Sequence, residues 1–153
     1  MKKNKKNKPI INILHLSQTD IRSDSRILKE MNSIAKSNNS YNLIGIGIGI
    51  GRKKNNKNFS VNNSILSINS INVFFRDIKY LPKVISHLFL TLEIITKMLR
   101  LSLQAKPSVI HCHDTPVLPL GILIKFFIGS KIVYDAHELE SNRNGLSTFL
   151  GSL

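Results

Sequence analysis

The segments SVIHCHD (residues 108–114) and KIVYDAHE (residues 131–138) decide the fold of this 153-residue chain. Each is an apolar, partly β-branched run that ends in histidine and acid, and the apolar stretch between them, 115–127, is long enough for a helix. A strand, a helix and a strand in this order form a parallel pair with a right-handed crossover. Because ligands bind beyond the carboxyl ends of such strands, both polar tips point to one candidate site.

The rest of the chain alternates short apolar runs with longer amphipathic patterns, which are typical of strands and helices. Predicted strands cover residues 9–16, 41–50, 64–68, 108–112 and 131–135, and predicted helices cover 25–37, 77–104 and 115–127. This order predicts an α/β fold, a Rossmann-like, open and mostly parallel sheet with helices on both faces. We predict a disordered basic tail over residues 1–8 and a single, partial domain of this kind over residues 9–153.

The segment after the second predicted strand has no apolar periodicity. Its Asn- and Lys-rich part, 52–63, predicts a polar and mobile connector. Before it, Gly45, Gly47, Gly49 and Gly51 alternate with isoleucines, and their spacing fits neither the dinucleotide fingerprint nor the phosphate loop. We therefore expect a strand that ends there in a flexible turn.

The chain is strongly basic, with 22 Lys and Arg against 9 Asp and Glu and a formal net charge of +13. Such a balance indicates an anionic partner: nucleic acid, anionic lipid or a phosphorylated substrate. The abundance of Asn, Ile and Lys, whose codons are AT-rich, is an alternative explanation of the charge. Aromatic residues make up only 7% and tryptophan is absent, so base stacking is weakly supported and no nucleic-acid partner is expected.

Several features predict a cytoplasmic location, with peripheral contact at the inner face of the membrane as an option. The single Cys112 excludes an internal disulfide and fits a reducing cytosol. No secretory signal and no transmembrane span are recognisable in the sequence. The predicted helix 77–104 carries basic residues beside an apolar stripe. We favour packing of this helix against the sheet, and the alternative is that it lies on an anionic membrane surface.

Histidines and acids end both strands of the opening segments. Because side chains alternate along a strand, His111 and His113 lie on the same side. We expect His111 to be partly buried and bonded to the backbone, whereas His113 and Asp114 face the crevice. His137 and Glu138 take the equivalent place after the next strand. A neutral histidine can move a proton or bond a sugar hydroxyl, and an adjacent carboxylate can orient it.

The loop after the first strand, residues 17–26, opens at the same edge of the sheet. Its polar candidates for binding are Asp20, Asp24 and Arg26. The helix that follows presents free backbone N–H groups and a positive dipole end, which suit an anion. The alternative is structural: Asp24 or Ser23 caps the helix, and the rest of the loop is solvated.

A zinc site is an alternative use of the strand-end residues, since six side chains of ligand type gather there. They are His111, Cys112, His113, Asp114, His137 and Glu138. Cys112 points to the opposite side of its strand, however, and no Cys-x-x-Cys or His-Glu-x-x-His spacing occurs. We therefore predict no metal site and no cofactor.

Three parts of the chain share a recognisable pattern. They are HLS with DSRILK (15–17 and 24–29), PSVIHCHD with LP (107–114 and 118–119), and VYDAHEL (133–139). Together these segments resemble the N-terminal domain of family 4 glycosyltransferases, retaining enzymes with the two-domain GT-B architecture. The resemblance extends over about residues 10–145, and it is the combination that is specific rather than any one segment.

The resemblance implies a domain that mainly binds the acceptor, while a second domain holds a nucleotide-sugar donor and transfer occurs between them. It implies that His137 contacts the transferred sugar and is catalytic, and that Glu138, His113 and Asp114 shape the pocket. The loop over 20–26 would border the donor phosphates or the acceptor. No metal is implied, and acceptors of the family include glycans and lipid-linked sugars at the inner membrane face.

The resemblance covers only one half of that architecture, because the donor domain, with its paired glutamates and diphosphate-binding basic residues, is not recognisable in this sequence. We therefore expect a fragment of a longer enzyme that is inactive alone, since transfer needs charge stabilisation around the leaving diphosphate. The alternative is a non-catalytic module that binds a partner chain or an anionic membrane. A nucleic-acid-binding domain would rest on charge alone, with steeply salt-dependent binding.

Overall fold

A computed structural model describes residues 10–37, 41–49, 57–61, 64–74 and 82–136, and shows one sheet of six strands. The strands are β1 (Ile11–Leu16), β2 (Tyr41–Ile48), β3 (Lys57–Val61), β4 (Ser64–Ile71), β5 (Val109–Cys112) and β6 (Lys131–Tyr134). The helices are α1 (Ser25–Ala35), α2 (Lys83–Ala105) and α3 (Leu118–Ile128), the last preceded by a 3₁₀ turn at Thr115–Val117. The strand order is β3-β4-β2-β1-β5-β6, and all pairs are parallel except β3–β4. The predicted Rossmann-like α/β fold is confirmed.

Helices cover both faces of the sheet because side chains alternate along each strand. On one face, Ile27 and Met31 of α1 belong to a buried cluster with Leu43 of β2. On the other face, Met98 of α2 and Ile124 of α3 belong to a second cluster, formed with the apolar side chains of β1 and β5. Each fully buried side chain of this size contributes roughly 1.5–3 kcal/mol, so the two clusters fix α1 on one face and α2 and α3 on the other.

Strand β3 occupies part of the segment that the sequence predicted to be a mobile connector, and that prediction is wrong for residues 57–61. The strand pairs antiparallel with β4, from Lys57 opposite Ile68 to Val61 opposite Ser64. It lies at the edge of the sheet, where polar and charged side chains are tolerated. Its pairing is made by backbone groups, which leave no apolar periodicity in the sequence.

Gly45 and Gly47 lie inside β2, which ends at Ile48, two residues before the predicted end of this strand. A Cβ on Gly47 would lie 2.3 Å from the Thr19 carbonyl oxygen and 3.1 Å from the Ile21 backbone nitrogen. The loop after β1 also pairs with the strand, since the Ile48 N–H donates to the Thr19 carbonyl at 3.2 Å. Glycine is needed at position 47 because no side chain fits between strand and loop.

Only the carboxyl-terminal half of α2 packs against the sheet. Met98 and Ser102 are buried, whereas Val84, Leu88 and Phe89 are 82%, 58% and 42% exposed. The predicted packing role is therefore wrong for the amino-terminal half, whose apolar side chains face outward. No helix in the described ranges is both long and apolar enough to cross a membrane. Predicted features outside the described residues are the tail 1–8, Gly51, residues 52–56 and 62–63, and the helix start at 77–81.

We expect Gly47→Ala to lower the free energy of unfolding by about 3 kcal/mol, because the added methyl group collides with backbone atoms. Gly45→Ala is the matched control, since its Cβ would meet the movable end of the Ile21 side chain at 3.3 Å. Urea denaturation of both variants measures the difference. Equal losses in the two variants would contradict the close approach of the loop to β2.

Candidate functional site

The chain changes its direction across the sheet at β1, which lies between β2 and β5. From β1 it passes through α1 to β2 on one side, and α2 later returns it to β5 on the other side. The loop after β1 leads to α1 on one face of the sheet and the loop after β5 leads to α3 on the other, and we call the carboxyl edge between them the crevice. Ligands of open α/β sheets bind at such a switch point, and it is the edge that the sequence indicated.

Asp114 ties the two loops together across the switch point. Its Oδ2 accepts hydrogen bonds from the Ser17 hydroxyl at 2.7 Å and from the Gln18 backbone N–H at 3.1 Å. Ser17 is fully buried, and its hydroxyl oxygen also accepts from the Thr19 backbone N–H at 3.0 Å. Hydrogen bonds to a carboxylate are among the stronger ones in proteins. Asp114 therefore lies in the crevice wall and also fixes the loop after β1.

Asp20 is held within its own loop by Arg22. The Arg22 Nε donates to the two Asp20 carboxylate oxygens at 2.8 and 3.1 Å, and Asp20 is 8% exposed. The hydrogen bond from Arg22 to this carboxylate raises the pKa of the guanidinium above its ordinary value, against a smaller lowering by desolvation. Asp20 thus shapes the loop, and Arg22 is a polar residue that the sequence did not single out.

Asp24 caps α1, which confirms the structural alternative for this residue. Its Oδ1 accepts from the Arg26 N–H at 3.1 Å and from the Ile27 N–H at 3.2 Å. Arg26 is exposed in the first turn of the helix, and its charge helps to lower the pKa of His113. Arg26 is therefore close to the buried side of the site while it remains open to solvent.

A histidine cluster, defined as His15, Glu30, His111 and His113, lies beneath the crevice on the α1 face. The parallel register sets His15 of β1 beside His111 of β5, and His113 follows two residues later on the same side. His111 Nδ1 lies 2.8 Å from Glu30 Oε1, and His15 Nδ1 lies 2.9 Å from His113 Nε2. The rings of His111 and His113 stack with centroids 4.2 Å apart, so the four side chains form one packed group.

Burial keeps two of these histidines neutral. Desolvation, together with the neighbouring His113 and His111, lowers the pKa of His15 from 6.5 to about 3. Desolvation likewise lowers the pKa of His113 to about 4, with further lowering by His111 and Arg26. In the part of the chain that the structure describes, His15 Nε2 and His113 Nδ1 have no hydrogen-bond partner. Both imidazoles are thus uncharged at neutral pH, and each has one ring nitrogen unused.

The predicted strand-end residues differ in depth. Asp114 lies in the crevice wall, whereas His113 is 2% exposed and lies below it. The prediction that His111 bonds to the backbone is wrong, because its partner is the Glu30 carboxylate. Two further predicted residues, His137 and Glu138, lie outside the described residues. The structure therefore brings together the polar residues that follow β1 and β5.

Sequence reasoning missed His15 and Glu30 as members of the site. The side chains of His15 and His111 lie on the same side of the sheet, but only the pairing of β1 with β5 shows this. Glu30 lies one helical turn after Arg26, a spacing that puts both on one face of α1. Thr115 and Tyr134 are another pair that the sequence did not indicate. Thr115 follows β5 and Tyr134 ends β6, and their hydroxyl oxygens lie 2.6 Å apart.

A concavity of about 460 Å³ lies between β4 and α2. Its polar lining includes Asn69, Asn72, Lys97, Arg100 and Gln104. Lys97 is already engaged there, since its Nζ donates to the Asn72 carbonyl at 2.8 Å. Among the described residues that line this cleft, none belongs to the predicted site. The cleft adjoins the loop after β1, since the hydroxyl of its lining residue Ser70 lies 3.5 Å from Asp20 Oδ1.

Comparison with known proteins adds no assignment to this geometry. The chain matches no protein-family model, and no curated protein matches it. The fold and the site define the class of protein: a Rossmann-like α/β domain with a polar crevice at its switch point and a buried histidine cluster beneath it.

The buried histidines should make the fold sensitive to acid. Because their pKa values lie below the ordinary value of 6.5, the unfolded chain binds more protons than the folded chain as pH falls below that value. We expect full stability above pH 6.5 and a progressive loss as the pH falls towards about 4 and then about 3. Urea denaturation at a series of pH values, with EDTA present, measures the trend.

The acid sensitivity can be assigned to these residues by two matched variants. His113→Gln removes a buried titrating group and should flatten the pH dependence. His87→Gln makes the same change on the exposed part of α2 and should preserve it. An identical pH dependence in both variants would contradict a contribution of His113 to the acid sensitivity.

Proposed function

We propose that this chain is the acceptor-side domain of a retaining glycosyltransferase of family 4 type, which moves a sugar from a nucleotide-sugar donor to a glycan or lipid-linked acceptor. The observation that carries the proposal is the meeting of two of the three resembling segments at one switch point. There Asp114 binds Ser17, which lies 97 positions earlier in the chain, and also Gln18. Residues from two separate sequence motifs thus form one polar wall.

The crevice carries groups that suit both a sugar and a phosphate. The hydroxyls of Thr115 and Tyr134 and the carboxylate of Asp114 can exchange hydrogen bonds with sugar hydroxyls. The exposed guanidinium of Arg26 stands at the positive end of α1, which favours a phosphate group nearby. This combination supports a sugar–phosphate ligand better than an apolar one.

In the proposed reaction, this domain binds and orients the acceptor, and a second domain would hold the donor. His137 is the proposed catalytic residue, in contact with the transferred sugar, and Glu138 is proposed to bind hydroxyls beside it. Both follow the end of β6 within four residues. Asp20 and Asp24 contribute by shaping the loop that faces the ligand. The transfer step itself is proposed to use no metal and no cofactor.

We expect the 153-residue chain to bind such ligands weakly at the crevice. Saturation-transfer NMR with a polyprenyl-diphosphate-linked sugar, UDP-glucose and GDP-mannose measures this binding. Arg26→Ala should weaken it about tenfold, since a hydrogen bond to a charged group contributes about 1.5 kcal/mol. Arg100→Ala removes the same charge from the cleft beside α2 and should leave binding unchanged.

Two outcomes would contradict the assigned site: binding that is lost in Arg100→Ala but kept in Arg26→Ala, or no binding of any of the three probes. The same samples, assayed for sugar transfer, should show no turnover. The reason is that the groups that stabilise a leaving diphosphate are not recognisable in this sequence. Clear transfer by the chain alone would refute the acceptor-side assignment.

Attachment to an anionic membrane surface is a second candidate function, and it rests on the amino-terminal half of α2. Exposed apolar side chains there are Val84, Ile85, Leu88, Phe89, Leu92 and Ile95. Lys83 is exposed in the first turn of the same helix, and the chain has a formal net charge of +13. An apolar patch beside basic residues is typical of a helix that lies in the membrane interface. Such attachment would bring the crevice to a lipid-linked acceptor.

We expect the chain to sediment with vesicles that contain phosphatidylglycerol and far less with pure phosphatidylcholine vesicles. Phe89→Ser should lower the partition coefficient about tenfold, because it removes one large apolar side chain from the interface. Phe126→Ser makes the same change on the exposed surface of α3 and serves as the control. Equal binding to both lipids, or equal loss in both variants, would contradict a role for α2.

A further inference from the structure

We propose that the histidine cluster is a binding site for one divalent transition-metal ion, and that zinc fits it best. Each of its four residues offers one ligand atom, and these atoms all lie within 4.8 Å of one another. The cluster combines two neighbouring strands with a helix, so its ligands come from three separate elements. The proposal concerns the buried layer below the crevice and does not rest on the proposed function.

The geometry requires only a modest contraction around the ion. In a tetrahedral zinc site with bonds of about 2.1 Å, ligand atoms lie roughly 3.4 Å apart. The longest separation in the cluster would therefore shorten by roughly 1.4 Å, which side-chain rotation can supply. Glu30 is the ligand best able to move, since its side chain is 31% exposed and lies on α1 rather than on the sheet.

Unused ring nitrogens give a second and independent reason for a ligand. His15 is fully buried and His113 is 2% exposed, yet within the described residues His15 Nε2 and His113 Nδ1 have no hydrogen-bond partner. Leaving a buried polar atom without a partner destabilises the fold. The His15–His113 contact at 2.9 Å leaves, in two neutral rings, a lone pair on one of these nitrogens and a hydrogen on the other. A metal ion that takes one nitrogen from each ring would replace this contact, and burial already keeps the rings in the neutral form that binds metal.

The donor set and the surrounding charge both select a zinc-like ion. Three imidazoles and one carboxylate match zinc, whereas magnesium and calcium prefer oxygen ligands alone. The charged groups that act on His113 are Arg26, Asp114 and Asp135, and Glu30 lies 3.8 Å from its ring. The carboxylates favour a cation at the cluster, and the guanidinium of Arg26 opposes it.

The ligands of this site differ from those that the sequence analysis considered, which is why it predicted no metal site. Cys112, a candidate ligand by type, faces the opposite side of β5, where its Sγ would lie 2.6 Å from a Cβ on Gly121. The ligands that replace it, His15 and Glu30, are distant in sequence and carry no motif spacing. With two of four ligands inaccessible to solvent, we assign the ion a stabilising role, in which it ties β1, β5 and α1 together beneath the crevice.

The test uses the untagged 153-residue chain, stripped with EDTA and then supplied with zinc chloride. We expect one zinc ion per chain after gel filtration, measured by elemental analysis, and a higher Tm with zinc than without. Competition with a chromophoric chelator gives the affinity. His111→Gln and Glu30→Gln should each weaken it at least about tenfold, and His87→Gln, the same change at an exposed histidine, should not.

Cobalt substitution adds a readout of geometry, because a tetrahedral site gives intense visible absorption that His111→Gln should abolish. Circular dichroism checks that the variants fold. If His111→Gln does not fold, Glu30→Gln serves as the test variant in its place. The proposal is overturned if the wild-type chain retains no zinc, or if His87→Gln weakens binding as much as the cluster variants do. Since no sugar enters these measurements, their failure would leave the glycosyl-transfer proposal standing, and the reverse also holds.

Discussion

The parallel register between β1 and β5 is the constraint on which both the core and the site depend. It sets Leu14 beside Ile110 and His15 beside His111. The apolar pair therefore faces α2 and α3, while the imidazoles face α1. A slip of one residue would exchange the two faces and place histidines in the larger apolar cluster, at a high desolvation cost. One strand pairing thus decides the packing of the domain and the composition of its polar layer together.

Much of the architecture could be predicted because burial leaves a local trace in the sequence. The alternation of apolar runs with amphipathic stretches located every strand but β3, and the side of the strand taken by Cys112 followed from simple alternation. Asp24 as a cap was likewise readable from residue type and position. The carboxyl edge followed from strand order alone, so Asp114 could be assigned to the crevice before its partners were known.

The remaining features depend on contacts between distant parts of the chain, which no local pattern records. Strand β3 is defined by backbone pairing with β4, and Gly47 is required by a loop that precedes it by almost thirty positions. The histidine cluster needs the β1–β5 register before His15 can be added to it, and helix packing before Glu30 can. The apolar stripe of α2 favoured packing against the sheet along the whole helix, because periodicity shows that a face is apolar without showing what covers it.

The loop after β1 is held by backbone hydrogen bonds at two points. The Ser17 N–H donates to the Ile46 carbonyl and the Ile48 N–H donates to the Thr19 carbonyl, both at 3.2 Å. The shape of this wall is therefore set when the protein folds rather than when a ligand arrives. A well-matched ligand loses little affinity to ordering of the loop, and a poorly matched one cannot be accommodated by cheap rearrangement. Selectivity at the crevice would then come from preorganised shape, with its entropic cost met during folding.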